Sequence, residues 1–237
     1  MSIKLKGCDL SVYQGSVDFT RLKDDVQFSI LRAGYGKTAA QKDKNFEAYY
    51  NGCERNKIHC GVYWYSYAMD EDEARQEAKA CLEVLKGKRF EFPIYYDVEE
   101  KKQFDLGKEK VSAIIRAFLE TVEAAGYWVG LYSSTSVLNT YIAQDIKDRY
   151  AIWCAHWGVN KPTYSGQYGI WQYSEKGRLS GVTGNVDLDE CYVDYPALIV
   201  AKGLNGYNEA EQPAQPDGVE VVLTIGGKTY KGTLKEG

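Results

Sequence analysis

The sequence predicts an α/β protein: a closed but abbreviated β/α barrel of about eight strands with fewer helices, followed by a C-terminal β-hairpin. Three observations predict it. Strand-like and helix-like segments alternate from the start, which implies a mainly parallel sheet. About eight strand candidates fall within roughly the first 195 residues, yet only the first half keeps regular long helices between them. The stretch 90–100, F-E-F-P-I-Y-Y-D-V-E-E, runs from aromatic and β-branched residues into acid, as a buried strand does when it ends in a polar site.

In order, residues 4–10 read as a short strand with Ile3, Leu5, Gly7 and Asp9 on one face, and 17–25 as a short helical turn. Residues 28–35 form a second strand. Phe46, Tyr49, Tyr50 and Cys53 then recur at helical spacing. Residues 60–67 are an aromatic strand. The segment 70–86 is a helix, with Asp70 and Glu73 spaced as a capping box and Gly87 as its stop. The central strand covers 90–99, with Phe92, Ile94, Tyr96 and Val98 facing the covering helices. Val111, Ile114, Ile115, Phe118, Val122 and Ala125 mark the next helix, closed by Gly126. Residues 127–132, 150–157, 168–173 and 186–192 supply the remaining strands. The expected division is a barrel over 1–200, a polar Pro/Gly linker over 201–218, and a hairpin over 219–237 turning at Gly226-Gly227. No internal repeat or low-complexity tract is present.

Composition narrows the class. The 237 residues are 44% hydrophobic and 26% charged, an ordinary globular balance. A net charge of -4 argues against nucleic acid or an anionic membrane as partner, and no apolar run is long enough for a membrane span. The 20 Tyr and 5 Trp offer flat faces with a polar edge, suited to stacking on sugars and equally to filling a core. Six cysteines without a C-x-x-C spacing read as buried reduced thiols. With His59 and His156 as the only histidines, neither a zinc site nor another cofactor is expected.

The chemistry concentrates at Asp97 and Glu99. Two residues apart on a strand, they point the same way, and two adjacent carboxyls cannot both ionise cheaply. A proton donor beside a negative charge is what glycosidic cleavage needs. An isolated D-x-E is more often a solvated strand end, so the neighbours decide. Asp9 on the first strand and Asp187 or Asp189 on the last would adjoin in a closed barrel, making a ring of acids at one rim. Gly36-Lys37-Thr38 ends like a phosphate loop, but Leu31 stands where that loop needs glycine. There is no G-x-S-x-G elbow.

Seven short segments then occur in series: G-C-D-L-S-V-Y-Q-G (7–15), I-L-R-A-G-Y-G (30–36), G-V-Y-W-Y-S-Y-A (61–68), P-I-Y-Y-D-V-E (93–99), G-L-Y-S-S (130–134), W-Q-Y-S (171–174) and V-D-L-D (186–189). Through them the chain, from residue 3 to about 195, resembles glycoside hydrolase family 25, the Chalaropsis-type lysozymes of bacteria, fungi and phages. Cys8 before Asp9 and Trp64 in place of the usual histidine are mild departures.

The resemblance implies a flattened, TIM-like barrel cleaving the β-1,4 bond between N-acetylmuramic acid and N-acetylglucosamine of bacterial peptidoglycan. It implies Glu99 as general acid and Asp97 as the group that orients the substrate's acetamido or stabilises the developing cation. Asp9 and Asp187, rather than Asp189, complete the rim. Tyr63, Tyr132, Gln172, Trp171 and Arg32 are the expected substrate contacts, alternation alone not choosing between Trp171 and Gln172. A double displacement through Asp97 and a substrate-assisted route both fit. Chitinase-type barrels carry a further Asp where this chain has Tyr95. A non-catalytic wall-binding or phage structural protein is the competing class, and it has no need of four acids. The N-terminus M-S-I-K-L-K-G-C-D has no apolar signal-peptide core, which suggests a phage lysin made in the host cytoplasm and released onto the wall. The hairpin suggests docking or a homo-oligomer. Charge repulsion further suggests that Asp97 raises the Glu99 carboxyl, so that Asp97→Asn would lower the alkaline limit of activity.

Overall fold

The computed structural model describes residues 4–207, 219–225 and 228–234. Eight strands close a barrel in sequence order: β1 (Leu5–Leu10), β2 (Phe28–Tyr35), β3 (His59–Tyr65), β4 (Ile94–Asp97), β5 (Val129–Ser134), β6 (Ala151–Ala155), β7 (Ile170–Gly177) and β8 (Val186–Cys191). Neighbours from β1 to β7 pair in parallel, while β8 runs antiparallel to both β7 and β1. That reversal has a consequence for the site. The residues at the start of β8 lie at the same end of the barrel as the C-terminal ends of the other seven strands.

The helices are α1 (Phe19–Leu22), α2 (Phe46–Asn56), α3 (Glu71–Leu85), α4 (Lys101–Phe104), α5 (Lys108–Ala124), α6 (Thr135–Thr140), α7 (Gln144–Arg149) and α8 (Tyr195–Ala201). The three long ones, α2, α3 and α5, all end by Ala124. Gly87 and Gly126, just beyond α3 and α5, take φ of +75° and +87°, the left-handed conformation that ends a helix at glycine. The capping box before α3 is half formed. Asp70 Oδ1 accepts from the Glu73 amide at 2.9 Å, but the Glu73 carboxylate turns to the Met69 amide and Lys37.

Two apolar layers sandwich the strands. Ile94, Tyr96 and Val98 belong to the outer layer under the helices, and Tyr96 stacks on Phe118 of α5 with ring centroids 3.8 Å apart. The inner layer fills the barrel with rings: Phe28 stacks on Phe92 at 4.5 Å, and Trp153 touches Tyr132, Tyr95 and Tyr63. Core filling thus accounts for much of the aromatic excess. Gly7 is required there, because a Cβ at that position would meet the Phe28 ring at 2.3 Å. Phe92 corrects the expected alternation. The regular strand begins only at Ile94, after Pro93, which cannot donate to a ladder, and Phe92 turns inward.

The packed body extends past the expected boundary at 200. Asn205 is fully buried at the barrel floor, where its Oδ1 accepts from the Trp128 amide at 2.6 Å and its Nδ2 donates to the Phe92 carbonyl at 2.9 Å. The tyrosine at 207 packs against the same inner cluster. Beyond it, β9 (Val219–Ile225) and β10 (Lys228–Leu234) pair antiparallel, with Leu223 opposite Tyr230 and Val219 opposite Leu234, the register that a two-residue turn dictates. The linker 208–218 and the turn residues Gly226 and Gly227 lie outside the described residues. All six cysteines are buried and unpaired.

Candidate active site

The acids meet at one end of the barrel. Asp97 is the last residue of β4, in register with Tyr65 of β3 and Tyr132 of β5. Asp9, near the end of β1, stands directly across from Asp187 of the antiparallel β8. Together with Glu99, these residues, Ser11, Tyr13, Gln14, Arg32, Tyr63, Tyr65, Tyr132, Trp153 and Gln172 line a cavity of about 210 Å³. The cavity continues on both sides. Through Glu99 it joins an arm of about 400 Å³ with Ser134, Ser136, Asn139, His156, Trp157 and Thr163. Through Tyr13, Arg32 and Tyr65 it joins a second arm of about 600 Å³ that adds Tyr35, Tyr67, Lys42 and Lys44. A groove crossing the barrel mouth, with the acids at its middle, results.

Asp97 is buried, and its Oδ1 has no hydrogen-bond partner. Burial first, and the Glu99 charge second, push its carboxyl well above the ordinary range, against a downward pull from Arg32. Glu99 lies beyond the strand and is exposed on the lip. Its carboxyl is also raised, by the surrounding protein mass and then by Asp187 and Glu100. The sequence placed that repulsion on Asp97. In the structure the Asp97–Glu99 repulsion falls on the more deeply buried Asp97, and Asp187 of β8 and the adjacent Glu100 add their own to Glu99.

Asp9 is raised strongly by burial and then by the neighbouring Asp189 and Asp187 carboxyls, the second of which stands directly across the β1–β8 ladder. Gln172 fixes Asp9 from the side: its Nε2 donates to Asp9 Oδ2 at 2.7 Å, while its Oε1 accepts from Tyr132 Oη and Trp157 Nε1, each at 2.9 Å. Arg32 is held by Asp43 at 2.7 Å and lies over the Tyr13 ring, which is 83% exposed. Tyr63 and Tyr132 face the cavity.

Trp171 is the exception among the expected contacts. It lines neither the central cavity nor its two arms; it packs by Tyr173 and donates to the His156 carbonyl at 2.9 Å. Alternation along β7 sends Gln172 inward and Trp171 outward. Asp189 lies one layer below Asp187, fully buried, accepting from Trp153 Nε1 at 2.8 Å. Trp153, Tyr65, Tyr13 and Trp157 line the groove without having been singled out. Strand β6 is buried on both faces, so no polar alternation marks Trp153, and only closure of the barrel brings Tyr65 and Tyr13 to the acids.

A groove ringed by carboxyls across the C-terminal mouth of a closed β/α barrel defines the class, a barrel of the glycoside-cleaving kind. The sequence profile of glycosyl hydrolases family 25 matches residues 8–182, and the chain belongs to that family. It is 30% identical over 189 residues to the autolytic lysozyme of Clostridium acetobutylicum, covering 78% of this chain and 55% of that protein. Among solved structures, the modular autolysin LytC of Streptococcus pneumoniae, in complex with a synthetic peptidoglycan ligand, superposes with a TM-score of 0.71 at 28% identity, over 80% of this chain and 47% of that one. The CTP1L endolysin superposes with a TM-score of 0.73 at 26% identity, over 83% and 69%. The chain thus spans about half the length of the first two of these relatives.

Proposed function

We propose that the protein hydrolyses bacterial peptidoglycan, cleaving the β-1,4 bond between N-acetylmuramic acid and N-acetylglucosamine. The observation that carries this is the Asp97–Glu99 pair facing Asp9 and Asp187 at the centre of a groove, in a chain of family 25. The groove's length, with an arm on each side of the acids, suits an extended glycan strand. Glu99 is the general acid: it is raised, so it retains a proton in mildly acidic medium, and it is exposed, so it regains that proton from solvent. Burial also holds a proton on Asp97, which disfavours attack by its carboxylate. That favours the route in which the substrate's acetamido oxygen closes on the anomeric carbon as the glycosidic C–O bond breaks and Glu99 protonates the leaving oxygen, with an Asp97 oxygen accepting the acetamido N–H; water then attacks the anomeric carbon, gives its proton to Glu99 and reopens the acetamido group. Asp9 and Asp187 support the developing positive charge, and Tyr63, Tyr132, Gln172 and Arg32 contact the sugar. The names of the relatives, a lysozyme, an autolysin and an endolysin, agree with this reading. Action on the wall after release from a host cell is part of the same proposal.

Glu99→Gln keeps the shape and removes the transferable proton, so the rate should fall by about 10²–10⁴-fold. The assay is reducing-sugar release from purified peptidoglycan, with borohydride reduction of the products to identify N-acetylmuramic acid as the new reducing end. New ends on N-acetylglucosamine, or full activity in the variant, would overturn the assignment.

A further inference from the structure

Behind the site, outside the barrel wall, lies a buried polar chain that the reaction does not touch. Gln103 of α4 is fully buried, and its Nε2 donates to Ser66 Oγ at 2.8 Å and to the Ala68 carbonyl at 2.9 Å. Ser66 Oγ donates to Tyr96 Oη at 2.7 Å, and Tyr96 Oη donates to Glu77 Oε2 at 2.6 Å. The other Glu77 oxygen accepts from the Tyr67 amide at 2.8 Å. Ser66, Tyr96, Glu77 and Gln103 are all buried in an apolar layer. Each hydroxyl has one proton to give, so the hydrogen bonds run one way, from the Gln103 amide to the Glu77 carboxylate.

The chain's ends matter more than its middle. Gln103 sits four residues beyond Glu99, and its amide bonds the Glu100 carbonyl at 2.9 Å. Ser66 bonds the Asp97 carbonyl through its own amide at 2.9 Å. The backbone from Asp97 to Glu100 is therefore gripped at both ends by members of one network, while Ser133 Oγ holds the Val98 carbonyl in between at 2.8 Å. Without it, α4 is a helix of four residues with three exposed or half-exposed positions, too short to fix its own place.

We propose that Glu77, Tyr96, Ser66 and Gln103 form a positioning network that sets where Glu99 stands over the groove. The inference rests on the reading of Glu99 as the acid. Glu77 anchors the network because it accepts at both oxygens; a glutamine there would present N–H to one of two donors. Burial raises the Glu77 carboxyl, while Tyr96 and the Tyr67 amide pull it back. A misplaced acid loses turnover rather than affinity, since Asp9, Arg32, Tyr132, Trp153, Gln172 and Asp187 line the groove from β1, β2 and β5 to β8, which carry no member of the network.

Tyr96→Phe tests this with the loss of one oxygen, and the ring keeps its stacking on Phe118. Gln103→Leu, of similar volume, cuts the other end and decides the matter should Tyr96→Phe fold poorly. Phe118→Leu is the control, since it loosens the same layer without touching a hydrogen bond. All are compared below their melting temperatures on glycan strands. The expected result is a kcat lower by about 5–50-fold in Tyr96→Phe and Gln103→Leu, with KM within about twofold and Phe118→Leu close to wild type. The alkaline limb should move as well, because a shifted Glu99 changes its distances to Asp97, Glu100, Asp187, Tyr65, Tyr132 and His156, the titratable groups around it. Unchanged kcat and pH profile in both variants, or equal losses in Phe118→Leu, would overturn the proposal. Should Glu99→Gln itself leave activity intact, the assignment of the acid fails instead, and the two failures stay distinct.

Discussion

Asp187 shows how one residue's place sets another's chemistry. It lies on the only barrel strand with two antiparallel ladders, opposite Asp9, and its charge raises Glu99 more than the neighbouring Glu100 does. A general acid raised by a like charge keeps its proton to higher pH, and activity falls as pH rises through its pKa. Removing that charge lowers the Glu99 pKa, so the alkaline limb of the residual activity in Asp187→Asn should move to lower pH. Asp97→Asn should move it less, because burial raises Asp97 more strongly and keeps it neutral while Glu99 titrates. Rate–pH profiles of the two variants check this, and a larger shift in Asp97→Asn would return the dominant repulsion to the strand pair. Gln172 belongs to the same scale: one side chain bonds Asp9, Tyr132 and Trp157, locking an acid and two rings at once.

At the scale of elements, the barrel is closed at its floor by a segment that follows its last helix. Asn205 ties the residues after α8 to the starts of β4 and β5, through the Phe92 carbonyl and the Trp128 amide. Asn205→Ala would leave both groups buried and unpaired, at about 1–3 kcal/mol each. For a domain of this size the melting temperature should then drop by roughly 2–4 °C per kcal/mol lost. A chain cut after residue 207 should keep its melting temperature and its turnover on soluble glycan fragments, whereas a cut before 203 should lower stability sharply. Differential scanning calorimetry with a fragment assay separates these outcomes. Equal behaviour of the two truncations would remove Asn205 from its structural role. The central strand is short for a related reason: Pro93 delays it and the turn into α4 ends it, so Glu99 escapes the sheet and reaches the lip.

For the whole molecule, the interior carries an unusual proton load. Asp9, Asp97 and Asp189 are buried with carboxyls raised well above their ordinary values, and Glu99, Asp187 and Glu77 are raised as well. In the unfolded chain these groups titrate near 4. Between that value and the raised folded pKa values, the folded state binds more protons than the unfolded one. Stability therefore falls as pH rises through this window and is greatest on its acid side. Thermal unfolding followed from about pH 5 to about pH 8 should give a melting temperature that declines with pH. Combining Asp189→Asn with the wild-type background should flatten that decline, since the amide stays neutral and its oxygen can still accept from Trp153. A melting temperature that instead rises over this range would mean that the buried acids are ionised in the folded state.

Periodicity and punctuation in the sequence were enough to specify eight strands, three long helices, the order in which they come and the hairpin register, because each depends on side chains within a few residues of one another. The D-x-E at a strand end likewise carries its meaning locally. Closure decided the rest. That β8 runs backwards, that Asp187 therefore reaches the mouth while Asp189 sinks below it, and that Gln172 rather than Trp171 turns inward depend on which strand lies across the barrel. So do the donor chain from Gln103 to Glu77, which joins residues up to 37 positions apart, and the plug at Asn205, whose partner Phe92 lies 113 positions away. A linear pattern records which face a residue shares with its neighbours in sequence; the field and the hydrogen bonds it meets come from residues that only the folded chain brings near.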